Sequence, residues 1–186
     1  LTGELPGRAS EIARCVKPCG GVVCLGAQAS APAWKAGRTI TDIRQHLAQL
    51  NLVAPQAIGG TDRFAVLTRG LLPGAGSWSH QYGKVANTSM SEDYRVKGDM
   101  RVLWFGDPGP APMINRHEAA AAPLSTNGRM FIQGVDRILC YDAYNGTYLW
   151  DFENPGAIRT GVFNNEEASN LAASDDALFM AVDDTC

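Results

Sequence analysis

The hydrophobic and polar positions of this chain change their period midway along it. In the early segment the spacing is mixed. Ile12, Cys15 and Val16 share one helical face over residues 10–15, with Ser10 available as a cap and Glu11 in the first turn. Pro18-Cys19-Gly20-Gly21 breaks that helix, and Val22-Val23-Cys24-Leu25 reads as a short apolar strand suited to full burial. From Thr41, Ile43, Leu47 and Leu50 recur at helical spacing with Asp42 in the first turn, and Asn51 is placed to close the helix in the left-handed conformation. Residues 53–58 and 63–68 read as two strands around the turn Gly59-Gly60-Thr61-Asp62.

After Trp78 the pattern becomes that of strands and turns. Val102-Leu103-Trp104-Phe105 reads as a strand stopped by Gly106-Asp107-Pro108-Gly109-Pro110. Residues 130–133 and 138–141 flank a tight turn at 134–137. Asp142-Ala143-Tyr144-Asn145-Gly146 is a second turn, in which Asn-Gly supplies the positive φ angles that tight hairpins need. Strands follow at 147–152 and 178–182. Strands every eight to twelve residues joined by turns argue for a meander, the unit from which propeller blades are made. The fold class expected is therefore an α/β remnant followed by an all-β segment, a partial β-propeller with the first blade and the start of a second. The boundary falls in the Leu71–Gly76 stretch, with Pro73, Gly74 and Gly76, giving segments 1–76 and 77–186.

Composition narrows the function classes. The chain has 186 residues with 16 basic and 19 acidic side chains, a net charge of −3, so it lacks the electrostatic footprint of a nucleic-acid or anionic-membrane binder. Its longest apolar run, residues 20–29, is interrupted by glycine and is too short to span a bilayer. Five cysteines (Cys15, Cys19, Cys24, Cys140, Cys186) would leave one thiol over in a closed disulfide framework, and the spacing of the first three matches no zinc or haem pattern. No metal site is assigned. The strand ending at Val182, followed only by Asp183-Asp184-Thr185-Cys186, leaves unpaired backbone edges, as expected of a piece of a longer polypeptide.

Two family resemblances sit on these segments. The run from Glu11 through Pro18-Cys19-Gly20-Gly21 to Leu25, with the helix from Thr41 and the hairpin after Gln56, resembles the C-terminal third of a class I S-adenosylmethionine-dependent methyltransferase. The glycine-rich loop and ribose-binding acid of that family have no counterpart upstream, so the resemblance implies a methyltransferase-like C-terminal remnant without its cofactor site. Residues 77–186 resemble the opening of pyrroloquinoline-quinone (PQQ)-type β-propellers. The matching stretches are Trp78-Ser79-His80-Gln81-Tyr82-Gly83 with Ala86-Asn87-Thr88, then Val102-Leu103-Trp104, and above all Gly128–Gly134 with the run from Ile138 to Trp150. Asn170–Ala173 and Asp176–Ala181 look like the next blade beginning. The resemblance makes Trp78, Trp104, Asp142, Gly146 and Trp150 the structural repeat motif.

The residues themselves explain such a repeat. Asp142 can accept backbone N–H bonds within its turn, and Gly146 permits left-handed geometry. Trp150 presents a large apolar face suited to docking on a neighbouring blade, and Trp104 is placed to do the same for the preceding blade. If the Trp150 ring is buried, its replacement by Ala should cost about 3–5 kcal/mol.

Catalytic readings are thinner. Arg116-His117-Glu118 lies before Pro123-Leu124, and in quinoprotein dehydrogenases a His-Glu pair precedes a similar stretch, its Glu touching the quinone; the spacing here is about two residues longer. The resemblance thus implies Arg116 and Glu118 as cofactor-binding candidates, with Arg able to pair with a quinone carboxylate; the alternative is a polar loop at the propeller mouth. Calcium needs six to eight oxygens, and no clustered Asp/Asn run offers them. Asp175-Asp176 and Asp183-Asp184 read as turn residues, Glu166-Glu167 as solvated surface. Ser79-His80 has no third group to orient it.

The expectation is a chain with no catalytic residues and no cofactor of its own, its role structural or interaction-based. A complete propeller of this type would take PQQ with calcium. Its partner would be the remainder of the propeller or an identical chain, with no nucleic acid and no membrane span. The alternative is a piece of a quinoprotein dehydrogenase, or of a bifunctional methyltransferase–propeller enzyme. The two resemblances point to opposite compartments.

Overall fold

The computed structural model describes residues 7–26, 39–52, 57–106, 122–154 and 171–180. It is mostly β, with three antiparallel sheets and two helices among the described residues. The chain divides into two compact units, Leu1–Pro73 and Gly74–Cys186.

In the first unit, helix α1 (Ala9–Cys15) has Arg8, not Ser10, at its N-cap position and no side-chain cap. Strand β1 (Val22–Gly26) follows, then helix α2 (Ile40–Ala48) and strands β2 (Ala57–Gly60) and β3 (Phe64–Thr68). The cap of α2 is Thr39. Its hydroxyl accepts from the Asp42 N–H while the Asp42 carboxylate accepts from the Thr39 N–H, a reciprocal capping box that begins two residues before the helix start expected at Thr41. Asn51 does adopt a positive φ, 47°.

The sheet order is β1-β3-β2, with β3 antiparallel to both neighbours. β1 and β2 therefore run parallel to one another, a relation that needs a crossover, and α2 lies in the connection between them. Ile43 and Leu47 on one face of α2 are buried with Val23, Ala65 and Leu67 of the sheet and with Leu50 and Leu52. β1 departs from the expectation of a fully buried strand. It is an edge strand with only Val23 buried, while Val22 and Cys24 face solvent, because one face of this sheet has no helix over it among the described residues. The Arg69 guanidinium donates to the carbonyls of Ala13 and Val16, satisfying the orphan acceptors at the end of α1.

The second unit opens with irregular chain held by side chains. Asp93 is its main tie: its carboxylate accepts from the backbone N–H groups of Gly76, Arg95 and Val96. Strands β4 (Leu124–Thr126), β5 (Arg129–Gly134), β6 (Arg137–Asp142) and β7 (Tyr148–Glu153) then form a four-stranded antiparallel meander in chain order. A separate hairpin, β8 (Leu171–Ala173) and β9 (Leu178–Met180), packs through β8 against β4. Residues 78 and 79 lie between the two. Trp78 exchanges both backbone hydrogen bonds with Ser125, and the Ser79 carbonyl accepts from the Ala173 N–H.

Alternation along β5 and β6 sorts side chains to two faces. Leu124, Phe131, Ile138 and Cys140 form one core with Leu171, Ala173 and the half-buried Trp78, Leu178 and Met180. Ile132, Leu139 and Tyr141, with Met130, form a smaller cluster on the opposite face. The stretch 102–105 is not a strand. It has no sheet partner among the described residues, and Val102, Leu103 and Phe105 are exposed, Phe105 almost fully. Its β-favouring residues lack a ladder to join, and strand propensity without a partner does not make a strand.

Candidate interaction site

The turn between β6 and β7 is built by Asp142. Its side chain is buried and accepts from the N–H groups of Tyr144 and Asn145, while its carbonyl accepts from Gly146. Gly146 has φ 71°, a left-handed conformation that costs a side-chain-bearing residue energy. The indole of Trp104 lies against this glycine, where a Cβ would collide with the ring. The Trp104 Nε1–H donates to the Ala143 carbonyl at 3.0 Å, across 39 residues of sequence. Three motif residues, Trp104, Asp142 and Gly146, thus meet in one joint.

Trp78 and Trp150 stand apart from that joint. Trp78 donates its indole N–H to the Gln81 carbonyl and packs into the core with Leu124 and Leu171. Trp150 sits on β7 opposite Cys140, its ring tilted at 46° to that of Phe131 with centroids 5.8 Å apart. The two rings reach over the intervening β6 because Cys140, between them, is small. Trp150 is 38% exposed, so the condition of a buried ring on which the larger cost rests is not met. Ile138, Trp150, Phe152, Leu178 and Met180 line an open groove of about 270 Å³ beside it. Phe152, Leu178 and Met180 were not marked by the sequence as groove residues; the one available signal was their alternation on strands.

On β6 and β7 one ion pair and one phenol hydrogen bond converge on Asp151. Asp151 accepts from Arg137 at 2.7 Å and from the Tyr148 hydroxyl at 2.6 Å, a bond that holds the phenol above its ordinary pKa. Burial pushes the Cys140 thiol up to about 11, so it stays protonated and unreactive. Ser79 and His80 are hydrogen-bonded to one another at 2.9 Å, with no acid completing a relay among the described residues.

Arg116 and Glu118 lie outside the described residues, as do Asp183, Asp184, Glu166 and Glu167. Among the described residues no group of three or more His, Cys, Asp or Glu side chains is arranged to hold a metal ion. No described helix is long and apolar enough to cross a membrane.

No family model, curated protein or solved structure matches the chain. Among the described residues are a closed apolar-and-hydrogen-bonded joint at residues 104 and 142–146 and an open apolar groove beside Trp150.

Proposed function

We propose that residues 77–186 are a segment of a PQQ-like β-propeller with a structural or interaction role, and that residues 1–76 are a methyltransferase-like C-terminal remnant. The observation that carries the propeller reading is the Trp104 joint. A tryptophan from the irregular stretch 101–106 lies on the glycine turn of the following four-stranded meander, and its N–H is satisfied there. A blade-to-blade contact needs such a link, combining a large apolar area with one directional bond. The reversed final strand of the first unit, set between two parallel strands, supports the methyltransferase-like reading of residues 1–76. The interaction role rests on exposed apolar positions along β7, where Tyr148, Leu149, Trp150 and Phe152 are all exposed on a strand with one neighbour among the described residues.

Calorimetric titration of the full chain with PQQ plus calcium, then with S-adenosylmethionine, tests the non-catalytic side of this reading. No heat of binding is expected from either. Micromolar binding of PQQ would replace it with the quinoprotein dehydrogenase alternative, and binding of S-adenosylmethionine with the bifunctional one.

A further inference from the structure

Asn-Gly occurs twice in the chain, at Asn127-Gly128 and Asn145-Gly146. It is the dipeptide most prone to spontaneous deamidation, because glycine leaves its backbone nitrogen unshielded. The two copies sit in very different surroundings.

At the second copy the attacking nitrogen and the side-chain oxygen are both already engaged. The Gly146 N–H, which must lose its proton to attack, donates to the Asp142 carbonyl at 2.9 Å. The Asn145 side-chain oxygen accepts from the Thr147 N–H at 2.9 Å, and the Asn145 N–H donates to the Asp142 carboxylate at 3.2 Å. The Trp104 ring covers Gly146 itself. Swinging the Asn145 side chain onto the Gly146 nitrogen would break several of these contacts together.

At the first copy the restraint is lighter and leaves the attacking nitrogen out: the Gly128 carbonyl accepts from the Ala143 N–H at 2.8 Å. Asn127 and Gly128 are the two central residues of the β4–β5 hairpin, between the paired residues Thr126 and Arg129, with φ 47° and 72°. The Gly128 N–H donates to no group among the described residues. Among the described residues the Asn127 side chain makes one bond, an exposed one from Nδ2 to the Asp175 carbonyl at 3.1 Å.

We infer that Asn127-Gly128 is the site of spontaneous succinimide formation in the folded chain, and that Trp104 guards Asn145-Gly146 from the same reaction. The Gly128 nitrogen forms a bond to Cγ of Asn127, the Cγ–Nδ2 bond breaks, and Nδ2 leaves as ammonia carrying the Gly128 amide proton. Water then opens the ring at either carbonyl, giving aspartate or isoaspartate, with no change of oxidation state. The product loses the donor to the Asp175 carbonyl and sets a carboxylate beside Asp175. Isoaspartate also lengthens a turn that has room for two residues. Both changes loosen the attachment of the β8–β9 hairpin to β4, leaving the Thr126 hydroxyl and the Arg129 guanidinium to hold Asp175.

The experiment ages the full chain in mildly alkaline buffer and maps both sites by peptide mass spectrometry, with a synthetic peptide spanning 122–134 as the unstructured reference. Conversion at 127 is expected to run several-fold faster than at 145. In Trp104→Ala the rate at 145 should rise while that at 127 stays unchanged, and hydrogen exchange of Leu171 and Ala173 should quicken in the converted wild type. Conversion at 145 equal to or faster than at 127 in the wild type overturns the inference. So does an intact Asn127 after the reference peptide has fully reacted. Should Trp104→Ala fail to fold, the wild-type ratio of the two sites still decides.

Discussion

The indole of Trp104 rests on the backbone of Gly146 and donates its N–H to the carbonyl of Ala143, three residues earlier in the same turn. The contact combines shape with a directional bond. A side chain at 146 would occupy the ring's place, and removing the ring would uncover the glycine while freeing a carbonyl. Gly146→Ala carries two penalties, the left-handed φ and the collision, and should destabilise the second unit by about 2–4 kcal/mol. Trp104→Ala, at a ring that is half-buried, should cost about 2 kcal/mol. Urea melts followed by fluorescence check both, and the double variant should cost less than the sum because both remove one contact.

Trp150 is the contrasting case. With 38% of its surface open and one aromatic neighbour in Phe131, it contributes less to the isolated chain than a buried tryptophan does. Trp150→Ala should cost about 1–2 kcal/mol in a chemical melt, below the range for a buried ring. A cost above that of Trp104→Ala would mean that the groove is closed in solution.

Asp93 makes the opening of the second unit sensitive to acid. Three backbone N–H bonds, from Gly76 first and then Val96 and Arg95, hold its carboxyl below the ordinary value. Its folded pKa is thus lower than its unfolded one. The stability it contributes is complete above the unfolded carboxylate pKa and is lost as pH falls through the folded one. The protection of Gly76, Arg95 and Val96 from hydrogen exchange, relative to the intrinsic rate at each pH, should fall on acidification below the ordinary aspartate range, and Asp93→Asn should show low protection at every pH.

Thiol chemistry should separate the cysteines by surroundings. Cys15 and Cys24 are exposed, while Cys140 is buried and held up to about 11. Iodoacetamide at neutral pH should label Cys15 and Cys24 within the time that Cys140 stays unmodified, and denaturant should bring Cys140 to the same rate. Peptide mapping reads the result.

Much of the meander was legible because its signals are local. The turn at 142–146 announces itself through Asp142 and Asn145-Gly146. The alternation over 130–133 and 138–141 places Phe131 and Ile138 on one face without knowledge of anything distant. Neighbouring strands joined by tight turns pair with one another, so pattern and partner coincide. The candidate site was legible as residue types: Trp104, Asp142, Gly146 and Trp150 were all marked, but not which of them meet.

What the sequence by itself determined is thus the turns at 134–137 and 142–146, the strands β5–β7 and the apolar face of α2, since each depends on side chains within a few residues of one another; β4 and the Asn127-Gly128 turn that joins it to β5 were not marked. Only the tertiary structure decided the rest. Val22-Val23-Cys24-Leu25 is apolar throughout, yet lies at a sheet edge, because burial depends on what is placed over a strand. Val102–Phe105 has strand-forming residues and no ladder, because backbone pairing needs a partner that local sequence does not provide. Trp104 is held by a turn 39 residues away, and Trp150, with the same side chain, is left partly open. The difference lies in what the fold brings against each ring, which no local pattern encodes.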